Sequence, residues 1–175
     1  MGSGGGTGRA LIICSVLEII GLAIWVGGLI VILAAVIPSV FNVGMETGGR
    51  VLTHVFEGYN RLVGGVMVVL AGSVVWRLWM TKHSASPAAR VSGAELTLLI
   101  PMIGIAAALV LWLSPLSGTL QEQAFAAEGE AAQKAAYQAF FQLHEIARAL
   151  YVVNLFLGLA LLAVKVRGWV RGIGD

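Results

Sequence analysis

The stretch ALIICSVLEIIGLAIWVGGLIVILAAVI, residues 10–37, decides the fold. It runs for 28 residues with a single charged side chain, Glu18. A helix rises about 1.5 Å per residue, so roughly 20 apolar residues cross the hydrocarbon of a bilayer. The run exceeds that length, which predicts a tilted membrane span. It is also too long for a signal-peptide core of about 7–15 apolar residues. Pro38 marks its expected end. The whole chain has the same character: 58% of its 175 residues are hydrophobic, 11% are charged, and mean hydropathy is +0.90. A soluble domain carries about 25% charge. The net charge of +2 leaves no nucleic-acid footprint. A lone cysteine, Cys14, excludes an intramolecular disulfide and a cysteine-based metal cluster, and reads as a packing residue.

Three further runs have spanning length: RLVGGVMVVLAGSVVWRLWM (61–80), AELTLLIPMIGIAAALVLWLSP (94–115) and ARALYVVNLFLGLALLAV (147–164). Trp76 and Trp79 suit an interfacial aromatic belt, and a membrane helix tolerates Pro101. Between spans one and two, Val51, Leu52, Val55, Phe56 and Tyr59 alternate with Arg50, His54, Glu57 and Arg61 on opposite helical faces. That pattern predicts an amphipathic helix at the membrane surface. Tyr137, Phe140, Phe141 and His144 recur at helical spacing and lead into span four. The expected fold is therefore all-α: a four-transmembrane-helix bundle with two amphipathic, outward-facing helical segments. Residues 1–9 form a Gly-rich tail, 10–166 the bundle and 167–175 a basic tail. The two halves share a plan, span–loop–span, although no tandem repeat is evident in the residues.

Charge orients the bundle. Arg9, Arg77, Lys82, Arg90, Lys165, Arg167 and Arg171 fall on one side. Arg50, Arg61, Lys134 and Arg148 fall on the other, among the glutamates. The positive-inside rule puts both termini and the 81–93 loop in the cytoplasm, with the protein integral to a plasma (inner) membrane.

The pattern IWVGGLIVILAAVIPSVF (24–41), followed by GGRVLTHVFEGYNRL (48–62), resembles the first half of the transmembrane-protein-205-like domain. FFQLHEIARALYVVNLFLGLALL (140–162) is similar to that family's last helix. The family is largely uncharacterised, and its animal members are linked to drug resistance. The resemblance implies a four-span bundle and little about function. Ala147 stands where the family often has serine, so any role of that hydroxyl is missing here.

Few residues could carry chemistry. A carboxylate inside a span costs about 2.5–3.5 kcal/mol at mid-helix, so Glu18 needs a partner or a wet cavity. Arg77 lies at similar depth, and a Glu18–Arg77 pair would lock two helices; a proton or ion role for Glu18 is the functional alternative. Asn154, Tyr151 and Arg148 read as polar residues of helix packing. The pairs Gly21/Gly28, Gly65/Gly72 and Gly104/Ala108 read as close-packing positions. His144 and His54, both outward, could together ligate haem or a transition metal; solvated or hydrogen-bonded histidines are the simpler reading. No nucleophile–base set stands out, so no catalysis and no cofactor are expected; the bundle leaves room for bound lipids as the one alternative besides haem or a transition metal. Three functions follow: an accessory or scaffolding subunit of a larger membrane complex of respiratory or photosynthetic type, with other membrane subunits and lipids as partners; a haem- or metal-binding membrane protein; and a small transporter using Glu18.

Overall fold

The computed structural model describes residues 4–42, 44–84 and 91–174. Among the described residues 95% are helical and none lies in a strand. Four rods cross back and forth. The first is α1 (Gly4–Val31), a π-helical turn (Ile32–Val36) and α2 (Ile37–Phe41). The second is α3 (Met45–Ser84). The third is α4 (Gly93–Ala108), a π-turn (Leu109–Leu113) and α5 (Ser114–Ala126). The fourth is α6 (Glu130–Gly174). All four are long and apolar enough to cross a membrane. Of the basic loop, Pro87 and Arg90 lie outside the described residues.

The rods outrun the apolar stretches that define them. The helix starts at Gly4, inside the Gly-rich tail, because propagation adds one hydrogen bond per residue fixed once a nucleus exists. Pro38 does not end the first rod, and Pro115 does not end the third. Proline lacks an N–H and its ring collides with the carbonyl four residues back. In both rods a π-turn lies from six to two residues before the proline and absorbs that conflict. Ile37 N–H bonds Ile32 O, and Ser114 N–H bonds Leu109 O, each five residues back. Pro101, by contrast, sits inside α4 without a break. The segment 48–60 is helical and amphipathic, but it continues straight into span two within the 40-residue α3 and is not a separate surface helix.

Length places the membrane. From Arg61 to Lys82 the exposed face of α3 is apolar over about 31 Å. From Arg148 to Arg167 the same holds on α6 over about 29 Å. Both match a hydrocarbon core of about 30 Å. The first turns of α3 and α6 therefore stand clear of the hydrocarbon at one end. Leu22, Trp25 and Leu29 of α1, Val66 and Leu70 of α3, Leu99 and Met102 of α4, and Leu161 of α6 form the core.

The two hairpins, first rod with second and third with fourth, carry the same devices at the same spacing, a likeness the residues alone do not announce. Glu18 precedes Pro38 by 20 residues, as Glu95 precedes Pro115. Placed in that register, Ser15, Leu22 and Gly27 coincide with Ser92, Leu99 and Gly104. Seven residues beyond each glutamate a main-chain carbonyl accepts a side-chain bond from the same hairpin: Tyr59 Oη donates to Trp25 O (2.9 Å) and Asn154 Nδ2 to Met102 O (3.2 Å). Each hairpin turns at a positive-φ glycine, Gly44 (104°) or Gly129 (91°), whose carbonyl accepts the first bond of the next helix.

Small residues serve two surfaces. Gly21, Gly28 and Gly158 are packing positions. A Cβ on Gly28 would meet the Tyr59 ring at 2.9 Å, and one on Gly158 would meet Val26 Cγ2 at 2.8 Å. Gly65, Gly72 and Gly104 have nothing within 4 Å of such a Cβ. Gly158→Ala should therefore lower unfolding stability in detergent by about 1–3 kcal/mol through overpacking. Gly65→Ala should not lower it, and equal thermal melting of the two variants would contradict this packing.

Candidate functional site

A polar assembly and a cleft occupy opposite ends of the bundle. At the end where the rods carry Arg77 and Lys165, four charges meet, one from each rod. Arg77 Nη1 lies 3.3 Å from Glu18 Oε2 and 2.8 Å from Glu95 Oε1. Lys165 Nζ lies 2.5 Å from Glu95 Oε1 and also pairs with Glu18 Oε2. Ser73 Oγ donates to Glu18 Oε1 at 2.5 Å. Glu18 is 1% exposed, and the side chains of Lys165 and Glu95 are 7% exposed. The result is a closed ring, Glu18–Arg77–Glu95–Lys165, in which every charge has two neighbours of opposite sign. Two carboxylates and two cations sum to zero, which is the condition for burying them in a medium that solvates ions poorly.

Glu18 and Arg77 thus stand side by side, joined by two residues whose sequence context hides them. Glu95 follows Ser92 in a Ser-x-x-Glu capping box. Ser92 Oγ does accept from Glu95 N–H at 3.1 Å, but the carboxylate turns inward to the ring. Lys165 adjoins Arg167 and looks like part of the basic collar, yet it points into the bundle. The signal that marks Glu95 is its spacing to Pro115, equal to that of Glu18 to Pro38.

At the other end a cleft of about 240 Å³ opens among all four rods. Its floor is Leu33, Leu109, Leu113 and Tyr151; its walls are the parts of α3, α5 and α6 beyond the hydrocarbon. An aromatic row, Phe125–Tyr137–Phe141–Phe140–His144, has successive ring centroids 5.6–6.4 Å apart. Arg50 lies over Phe125 with its guanidinium carbon 5.3 Å from the ring centre. Thr53 Oγ1 donates to Gln121 Oε1 at 2.9 Å in the wall. Below the floor, Tyr151 Oη donates to Asn60 Oδ1 (3.0 Å), and Asn60 Nδ2 to Ser114 Oγ (3.2 Å). The lining is largely apolar with a few polar groups, the pattern of a site for an apolar or amphiphilic molecule.

The remaining predicted residues divide between these two ends and the surface. Tyr151 and His144 line the cleft, His144 stacked on Phe140 at 5.8 Å. Arg148 also lines it and pairs with Glu145 on its own helix at 2.6 Å. His54 is not in the cleft. Its side chain is 81% exposed and lies 3.5 Å from Glu57. The two histidines therefore do not share a site, and among the described residues no group of three or more His, Cys, Asp or Glu is disposed to hold a metal ion. Asn154, 2% exposed, joins α6 to α4.

Removing one ring member leaves an uncompensated buried charge, which costs about 3–5 kcal/mol. Lys165→Met should destabilise by that order in thermal unfolding. Adding Glu95→Gln to Lys165→Met restores neutrality and should recover part of the loss. A double variant less stable than Lys165→Met would contradict charge balance as the ring's organising feature.

No curated protein and no solved structure matches the chain. A family profile matches residues 20–126, from the first span through the end of α5. The match takes in Arg77, Glu95 and the α3 and α5 walls of the cleft, and stops short of α6. The chain therefore belongs to the family described as a domain of unknown function (DUF4149).

Proposed function

We propose that this integral membrane protein is non-catalytic and that its cleft holds a single-chain amphiphile drawn from the membrane. The carrying observation is the cleft itself: a largely apolar hollow of about 240 Å³ at the end of the spans, with an aromatic row on one wall and polar tips at His144, Arg148 and Gln121. A hydrocarbon chain would lie along Leu33, Leu109 and Leu113. A polar head would reach the groups that stand beyond the hydrocarbon. Aromatic side chains with polar tips suit this boundary between lipid and water. The excess of Lys and Arg at the ring end supports a cytoplasmic ring and an outward cleft in a plasma membrane.

A second reading, an accessory subunit of a larger membrane assembly, is favoured by the open glycines of α3. Gly65 and Gly72 lie on its exposed face with nothing within 4 Å of a Cβ, and small residues let a neighbouring helix approach. The finer kinship with the transmembrane-protein-205-like domain is compatible with either reading and supplies no substrate.

A palmitate carrying an alkyne and a chain-end diazirine tests the first reading in vesicles. Photolysis should label peptides from 109–125 and 137–151 above those of the lipid-facing stretch 62–78. Ala147→Trp, which puts a large ring into the cleft, should cut the cleft label at least tenfold while leaving the lipid-face label unchanged. Labelling spread evenly over all lipid-facing peptides, or insensitive to Ala147→Trp, would defeat the reading.

A further inference from the structure

The hairpins meet along two unlike seams. α1 packs broadly against α6, with Gly158 pressed on Val26. α3 meets α4 and α5 only sparingly. What bridges this second seam is polar, at three heights. Thr53 bonds Gln121 (2.9 Å) and Arg50 lies over the Phe125 ring (5.3 Å) at the cleft wall, Asn60 bonds Ser114 under the floor (3.2 Å), and Arg77 bonds Glu95 in the ring (2.8 Å). A seam closed by a few hydrogen bonds and little apolar packing opens with a small loss of contact area.

The bridging groups also have partners to return to. Thr53 has one hydroxyl proton, and Gly49 O lies 3.0 Å from its oxygen as an alternative acceptor on the same helix. Arg77 keeps Glu18 within its own hairpin, and Glu95 keeps Lys165 within the other. Opening this seam therefore breaks only Arg77–Glu95 of the ring, while Glu18–Lys165 holds on the α1–α6 side and each hairpin keeps a neutral pair, Glu18–Arg77 or Glu95–Lys165. Neither hairpin is left with a lone charge in the membrane, which is the arrangement that would otherwise forbid separation. Asn60 remains tied to α6 through Tyr151, which places that bond nearer the axis of motion.

We infer that the seam between α3 and α4–α5 is a lateral door, through which an amphiphile passes between the bilayer and the cleft. The broad α1–α6 seam is the hinge side, and the charge ring is a latch that remains neutral whether closed or divided. The Thr53–Gln121 bond and the Arg50–Phe125 contact, both part of the cleft wall, are the first to give way. This inference rests on the cleft reading, because it supplies the route for the molecule that the cleft holds.

The experiment closes the door covalently. In a Cys14→Ala background, Thr53→Cys and Gln121→Cys are joined by a short bis-thiol-reactive linker in the full-length protein in vesicles. The probe is the same diazirine palmitate, delivered within the bilayer, and the readout is cleft label against time. Linking before the probe is added should slow the appearance of cleft label at least tenfold, and cleaving a reducible form of the linker should restore the rate. Linking after loading should slow probe release to a comparable degree. A matched link across the hinge side, Val26→Cys with Leu157→Cys, should leave both rates unchanged. Cleft labelling whose rate ignores the seam link overturns the door while leaving the cleft reading intact. Absence of cleft labelling in the unlinked protein overturns the cleft reading itself, and the door with it.

Discussion

Hydrocarbon does not solvate charge, and the bundle is organised around four charges placed in it. On insertion scales each ionised side chain at mid-helix costs about 2.5–3.5 kcal/mol. One pair would neutralise one acid and one base. A ring of two acids and two bases does more, because each group faces two of opposite sign and one residue comes from each rod. Its members must sit at a common height, so the ring sets the longitudinal register of all four helices. With Glu18 and Glu95 level, Trp25 and Met102 are level too, and Tyr59 and Asn154 find their carbonyls at the same step above. The apolar layer of Leu22, Leu70, Leu99 and Leu161 then closes the interior between the ring and those bonds. Such a ring supplies specificity of register, whatever its net contribution to stability.

The parts of this design that are legible in sequence are those with local signatures. Four runs of low charge and spanning length identify the rods, and a lone carboxylate in the first of them requires a partner, which depth alone finds in Arg77. Glu95 and Lys165 escape for opposite reasons: each stands where a local rule already accounts for it, one in a capping box and the other in a basic collar. Local sufficiency hides a tertiary role. The rod ends escape because proline in a soluble helix is a stop, whereas a membrane helix has no water to satisfy freed carbonyls and gains more by shifting into a π-turn and continuing. Periodicity identifies the faces of 48–60 and 137–144 but does not say whether an apolar face meets lipid, a neighbour or a hollow. That question is settled by how far four separate rods extend, and no window of sequence contains it. For the same reason His54 and His144 look equivalent in sequence, while His144 lines the cleft and His54 faces solvent.

The cleft comes from a departure between two otherwise similar hairpins. From the ring to the proline they agree in spacing, in the π-turn and in the side-chain bond seven residues above the acid. Beyond the proline they differ. Gly44 follows Pro38 by six residues, whereas Gly129 follows Pro115 by fourteen. The eight extra residues add about two turns, or about 12 Å, to the third rod before the chain reverses. α5 and the start of α6 therefore overhang the shorter turn of the first hairpin. The overhang carries Gln121, Phe125, Tyr137 and Phe140, which are the residues that wall the cleft on that side. A bundle of two equal hairpins would close over its core at both ends. Here equality at the ring end gives a charge-balanced base, and inequality at the other end leaves a hollow that α3 and the longer hairpin line together. The seam between α3 and the third rod inherits the mismatch, since α5 extends past the packed part of its neighbour and meets it through Thr53–Gln121 and Arg50–Phe125 more than through interlocked apolar side chains.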